Sequence, residues 1–139
     1  MRIPKFRFFG KVADGETRMV LAEAIDFTNG FVYYSYHDYT VEGDDDVYGD
    51  IISFENCVLM QSTGLFDKNS KEIYEGDIVK FTLTDGFSYV VDGYGVVKYK
   101  TGAFYVVNGL TEYLISNINI NEIEVIGNVY KNPELLEGE

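Results

Sequence analysis

Residues 19–67 contain not one lysine or arginine, and the whole chain carries a single cysteine, Cys57. A lone thiol excludes an intrachain disulfide, and any thiolate zinc cluster would have to be shared between subunits. It agrees with a reducing cytoplasm. No charged start leads into an apolar segment at the N-terminus, and no apolar run approaches the length of about 18 residues needed to cross a membrane. The expectation is a soluble chain that is not exported and has no membrane partner. Internal repeats and low-complexity linkers are also missing. The one glycine-rich candidate for phosphate binding, Asp-Gly-Tyr-Gly-Val-Val at 92–97, has strand-like flanks and no helix after it. No cofactor is expected.

What is present is apolar and aromatic. Of 139 residues 46% are hydrophobic, with 12 Tyr and 10 Phe, enough for an aromatic-rich core in a chain of one-domain size. The net charge is −12, unevenly spread. Residues 1–18 hold five basic groups against Asp14 and Glu16, residues 19–67 hold ten carboxylates and nothing basic, and residues 68–139 hold six basic against eleven acidic groups. Phosphates would be repelled along most of such a surface, which disfavours nucleic acid and favours a basic protein partner, or simply solubility.

The patterning is that of short strands, and the fold class expected is mainly β. Lys5–Phe9 alternates charge and aromatic with period two. Arg18–Phe27 suits two helical turns or a strand, which leaves α+β open, and the strand is preferred. Phe31–Tyr39 is the strongest strand signal in the first half, with Tyr33 on one face and Tyr34 and Tyr36 on the other. Aromatics on both faces suggest that a second element or a second subunit covers one of them, so Tyr33, Tyr34 and Tyr36 are candidates for self-association into a homo-oligomer. From residue 72 onward, five short β-rich runs are separated by Asp-Gly, Gly-Tyr-Gly, Thr-Gly and Asn-Gly signals. That spacing predicts a small, strongly bent, SH3-like barrel with Val79, Phe81 and Leu83 inward and Lys80 and Thr82 outward. The expected division is an N-terminal β-rich part with an acidic loop over 1–66, the barrel over 67–132, and a tail over 133–139.

Leu59–Val79 reads Leu-Met-Gln-Ser-Thr-Gly-Leu-Phe-Asp-Lys-Asn-Ser-Lys-Glu-Ile-Tyr-Glu-Gly-Asp-Ile-Val. Together with the opening Lys5–Arg7 and the closing Val125–Leu136, it resembles the YopX family of phage and prophage proteins over almost the whole chain. Two departures are Phe9, where the family often has Trp, and a central region of about 40 residues that matches nothing. The resemblance implies a phage or prophage origin, hence the bacterial host cytoplasm, a β-rich fold with an SH3-like C-terminal part, and oligomerisation. It transfers no catalytic residues. Physically, the motif reads as hairpin punctuation followed by a Gly-Asp turn that launches the first barrel strand, with Ile73, Tyr74 and Ile78 as core anchors.

Four constellations could carry chemistry. Counted from Asp44, residues 44–55 imitate a twelve-residue calcium loop, with Asp44, Asp46, Gly49 and Glu55 at ligand or turn positions. Tyr48 replaces a ligand, however, and the flanks look like strands where an EF-hand needs helices. The acidic residues Asp38, Glu42, Asp44, Asp45, Asp46, Asp50 and Glu55 could instead imitate nucleic-acid charge and engage a basic nucleic-acid or host-defence enzyme. A hydrated loop ranks first among these readings, a docking surface second and an ion site last. His37 and Cys57 would form a thiol–imidazole pair only if the fold joined them, and each reads more simply as structural, so no enzyme is expected. Lys98, Tyr99, Lys100 and Tyr105 on a barrel hairpin could stack on a single strand of nucleic acid, though two lysines make a thin patch.

Overall fold

The computed structural model describes residues 3–37, 47–84 and 90–136, apart from the side chains of His37, Val90 and Val91. It is mainly β, and every helical piece among the described residues is a single 3-10 turn. Strand β1 (Phe6–Lys11) comes from the charge–aromatic alternation. Arg18–Phe27 forms two strands, β2 (Thr17–Leu21) and β3 (Ala24–Asp26). The break between them keeps its backbone groups paired while the chain changes sheet. Ala22 N–H donates to the Phe6 carbonyl at 3.0 Å, and Glu23 N–H to the Tyr33 carbonyl at 2.8 Å. Then come β4 (Phe31–His37), β5 (Val47–Ser53), a 3-10 turn at Phe54–Asn56, and β6 (Cys57–Phe66).

The chain divides into two compact units between Met60 and Gln61, inside β6 and before the turn where composition placed the boundary. A continuous strand shows no compositional shift at that point. In the first unit β1 lies between β2 and β6, and β3, β4 and β5 form a separate antiparallel sheet. Phe8 and Val12 meet Val32, Tyr34 and Ile52 in one buried cluster. The Phe8 and Tyr34 rings stand edge to face at 5.2 Å, a favoured aromatic geometry.

The second unit adds β7 (Glu72–Tyr74), which pairs with the far end of β6. It continues with β8 (Asp77–Thr84), β9 (Val90–Lys100), β10 (Ala103–Asn108), β11 (Thr111–Leu114) and β12 (Ile123–Asn128). The last five form one antiparallel sheet ordered β11-β10-β9-β8-β12. First strand beside last, with 3-10 turns at Ile115–Asn117 and Ile120–Glu122 before the last, is the strand order of an SH3-like barrel. Val79 and Phe81 are buried with Ile73, Val97, Val106, Ile115, Ile118 and Ile123, while Lys80 faces out. Pro133–Leu136, within the expected tail, makes a 3-10 turn.

The Leu59–Val79 motif does the structural work expected of it. Ile73, Tyr74 and Ile78 are buried, and the buried Asp77 takes Tyr74 N–H at 2.8 Å to close the turn before β8. Asp67 goes further. Its Oδ1 accepts Asn69 and Lys71 N–H at 2.9 and 2.8 Å, and its Oδ2 accepts Val125 N–H at 2.8 Å across 58 residues of sequence. Burial alone would raise this carboxyl, but the N–H groups of Val125, Lys71 and Asn69 reverse that and hold it below the ordinary aspartate value.

Two stability predictions follow from this geometry. A Cβ at Gly95 would lie 2.5 Å from Val106 Cγ1 and 3.0 Å from the Val107 carbonyl, so Gly95→Ala should cost about 1–3 kcal/mol in urea unfolding. Gly93→Ala, where the nearest atom is Phe81 Cζ at 3.6 Å, should stay within about 0.5 kcal/mol of the parent. Asp67→Asn turns an acceptor facing Val125 N–H into a donor and should cost about 1–3 kcal/mol at pH 7. Because the folded pKa is depressed, the parent's advantage is present above the ordinary aspartate value and is lost as pH falls through the lowered one. Melting curves of parent and variant should therefore converge in acid.

Candidate functional site

The acidic stretch splits between what the structure describes and what it does not. Asp38, Glu42, Asp44, Asp45 and Asp46 lie outside the described residues. Asp50 and Glu55 are exposed, the first in the middle of β5 and the second in the 3-10 turn that follows, where its N–H donates to Ser53 Oγ at 3.2 Å. Of the calcium-loop candidates Asp44, Asp46 and Glu55, the first two lie outside the described residues and only Glu55 is placed. Val47–Ser53 runs as a strand paired with β4, and Gly49, which a calcium loop would use for its sharp turn, sits opposite Ser35 in that ladder with no positive φ. Among the described residues no group of three or more His, Cys, Asp or Glu is placed to hold a metal.

The three tyrosines part company. Tyr34 is buried in the core of the first unit, its ring 6.2 Å from Tyr36, which lies 5.6 Å from Tyr48. Its hydroxyl donates to Asp50 Oδ2 at 3.3 Å and accepts Ala13 N–H at 3.1 Å. Tyr33, on the other face, is 43% exposed. Of the self-association candidates it is the one that stands outside, directly across from Ile51, which is 45% exposed. The aromatics on both faces of β4 thus have different uses: one set packs inward, and Tyr33 with Ile51 and Val47 leaves an apolar stripe on the outer face. Glu23, Tyr33, Tyr34, Gly49, Asp50 and Ile51 line an open groove of about 440 Å³ there. That β5 is a strand was not foreseen. The signal available was the alternation of Tyr48, Asp50 and Ile52 with Val47, Gly49 and Ile51, masked by the carboxylates before it.

The other candidates are less coherent. Burial pushes the Cys57 thiol up, away from the thiolate a nucleophile needs. The His37 side chain lies outside the described residues, so the proposed pair has one placed member. On the barrel hairpin Lys98 stands opposite Tyr105 and Lys100 opposite Ala103, whereas Tyr99 pairs with Phe104, its ring at 5.1 Å. Strand alternation therefore puts Tyr99 on the face opposite the two lysines, and Lys100 is already ion-paired with Glu112. Tyr105, directly across from Lys98, is the one of the two tyrosines that shares the face of the lysines. Among the described residues no helix is long and apolar enough to cross a membrane.

Fold and surface together define a mainly β protein whose second unit holds a curled five-stranded sheet in SH3-like strand order and whose first unit displays an acidic, partly apolar sheet. The sequence pattern of the YopX family, described as YopX protein, matches residues 5–137, and the chain belongs to that family. It is similar to protein EF1440 from Enterococcus faecalis, known from a crystal structure, with a TM-score of 0.59 and 25% sequence identity, covering 99% of this chain and 100% of that one. No curated protein matches it.

Burial, and after it the neighbouring Asp50 carboxylate, push the Tyr34 hydroxyl above the ordinary tyrosine value. The stability linked to it is fully present below about pH 10, the unfolded value, and is lost as pH rises through the raised folded one. Tyr34→Phe should cost about 0.5–1.5 kcal/mol at neutral pH, since Ala13 N–H loses its acceptor. It should also remove part of the alkaline decline, which denaturant titrations at neutral and alkaline pH would measure.

Proposed function

We propose that this chain is a non-enzymatic phage or prophage accessory protein that acts in the bacterial cytoplasm by binding protein, its acidic first unit blocking a basic nucleic-acid-processing or host-defence enzyme. The observation that carries the reading is the absence of any lysine or arginine from residues 19–67, combined with exposed carboxylates at Glu23, Asp50 and Glu55 on one sheet and its flanks. An acidic surface without internal cations keeps its field instead of neutralising it in local ion pairs, and such fields steer a basic partner and select against acidic ones. Membership of the YopX family supports the phage-type origin through the resemblance described above.

Not every carboxylate in that segment serves the surface. Asp26 is occupied by Thr28 and Asn29 N–H and the Asn29 side chain, and Asp67 is buried in its turn. The proposal therefore falls on Glu23, Asp50 and Glu55 and on Asp38, Glu42, Asp44, Asp45 and Asp46, five residues whose structure is not described. Binding to a panel of basic host nucleases should weaken steeply with salt. It should also weaken about tenfold or more when Asp44, Asp45 and Asp46 become Asn or when Asp50 and Glu55 become Asn and Gln, chiefly through slower association. Surface plasmon resonance at several ionic strengths measures both effects; indifference to salt and to both variants would end the reading.

A further inference from the structure

We propose that the outer edge of β5 is a docking strand, to which an extended basic segment of the partner adds as a fourth strand of the β3–β4–β5 sheet. The inference rests on the reading that the partner is basic and adds how it is held. The edge follows from the ladder. Tyr33 receives Glu23 N–H, so its backbone groups face β3, and those of Val32, Tyr34 and Tyr36 face β5. Their partners Ile52, Asp50 and Tyr48 use their hydrogen bonds inward, as does Phe54, whose N–H donates to the Gly30 carbonyl at 2.9 Å. Val47, Gly49 and Ile51 consequently present their N–H and C=O groups to the outside. Among the described residues no strand pairs with that side.

Three features of this edge fit an incoming strand. Nothing lies within 4 Å of the position a Gly49 Cβ would take, so the outer face at the centre of β5 is open to a side chain of the newcomer. Tyr33, Ile51 and Val47, which is 59% exposed, offer apolar contact on one face for alternate side chains of the newcomer. Asp50 Oδ1 accepts Ile51 N–H at 2.8 Å, and a lysine or arginine on the incoming strand would draw that carboxylate away and free the donor. Exposed edges are commonly guarded by lysine. Here β5 carries none, and the carboxylates repel an acidic strand while admitting a basic one. A second copy is disfavoured by the same charges, since antiparallel pairing of two β5 edges about Gly49 would set each Asp50 across from Tyr48 of the other copy and bring the two Asp50 residues to diagonal positions on one face, on two chains of net charge −12 each.

The test uses the full chain and a blocked peptide of alternating lysine and valine, alongside the same peptide N-methylated at alternate backbone nitrogens, which keeps every charge but loses one hydrogen-bonding edge. Fluorescence anisotropy at low salt should show the methylated peptide binding about tenfold more weakly or worse. Hydrogen exchange should show the Val47 and Gly49 amides gaining protection with the unmodified peptide. Gly49→Pro removes an outward N–H without touching the β4 ladder, and should weaken the unmodified peptide about tenfold while leaving the methylated one unchanged. Equal affinity of the two peptides for the parent protein would overturn the docking strand yet leave the acidic-surface reading intact; no binding of either would sink both. A dimer in sedimentation that protects the same amides without peptide would show a second copy as the occupant and likewise overturn the proposal.

Discussion

Every strand leaves half its backbone polar groups pointing toward the next strand, and a chain built mainly of short strands has to find a partner for each such row or leave it to water. Much of this structure can be understood as answers to that demand. Where β2 gives way to β3, the two linking residues each donate to a different sheet. At the outer side of β12 the answer is a side chain: Asp67 accepts Val125 N–H while Lys68 N–H donates to the Ile123 carbonyl, so the turn at 67–71 substitutes for a strand. At β5 the outward Ile51 N–H is met by Asp50 Oδ1, and among the described residues no strand pairs with that side.

The acidic residues separate along the same line. Asp26, Asp67 and Asp77 hold backbone N–H groups in turns and belong to the fold. Glu23 and Glu55 are exposed, and Asp50 faces both ways, accepting Tyr34 O–H on one side and Ile51 N–H on the other. A net charge counted over a sequence mixes these roles. In the first unit Asp26 is such a turn carboxylate, facing N–H dipoles that offset part of its charge, so the surface field there is weaker than the count suggests.

Aromatic residues supply the solidity that short strands lack. Phe8, Tyr34, Tyr36 and Tyr48 form a run of ring contacts through the first unit, and Phe81 meets Tyr113 at 5.2 Å in the barrel. Tyr34 shows why tyrosine rather than phenylalanine stands in the core: its hydroxyl reaches the wet rim and satisfies Ala13 N–H there. Gly95 has the opposite use, leaving room for Val106 to pack against the bare backbone of β9.

Local patterning was enough to read the barrel. The period-two alternation of Val79, Phe81 and Leu83, the turn signals between runs, and the Ile73–Tyr74–Ile78 anchors depend on neighbours close in sequence, so composition and spacing carried them. The split of Arg18–Phe27 into two strands did not show, because Ala22 and Glu23 pair with Phe6 and Tyr33, residues outside that segment. Nor did β5, since a run of carboxylates resembles a loop until a partner strand takes up the alternating backbone groups. What the sequence determined by itself was therefore the class of fold, the charge of the first half and the family. Which carboxylates hold turns, which tyrosine stays outside and which strand edge is left open were decided by tertiary structure alone, because hydrogen-bond partners distant in sequence assign those roles.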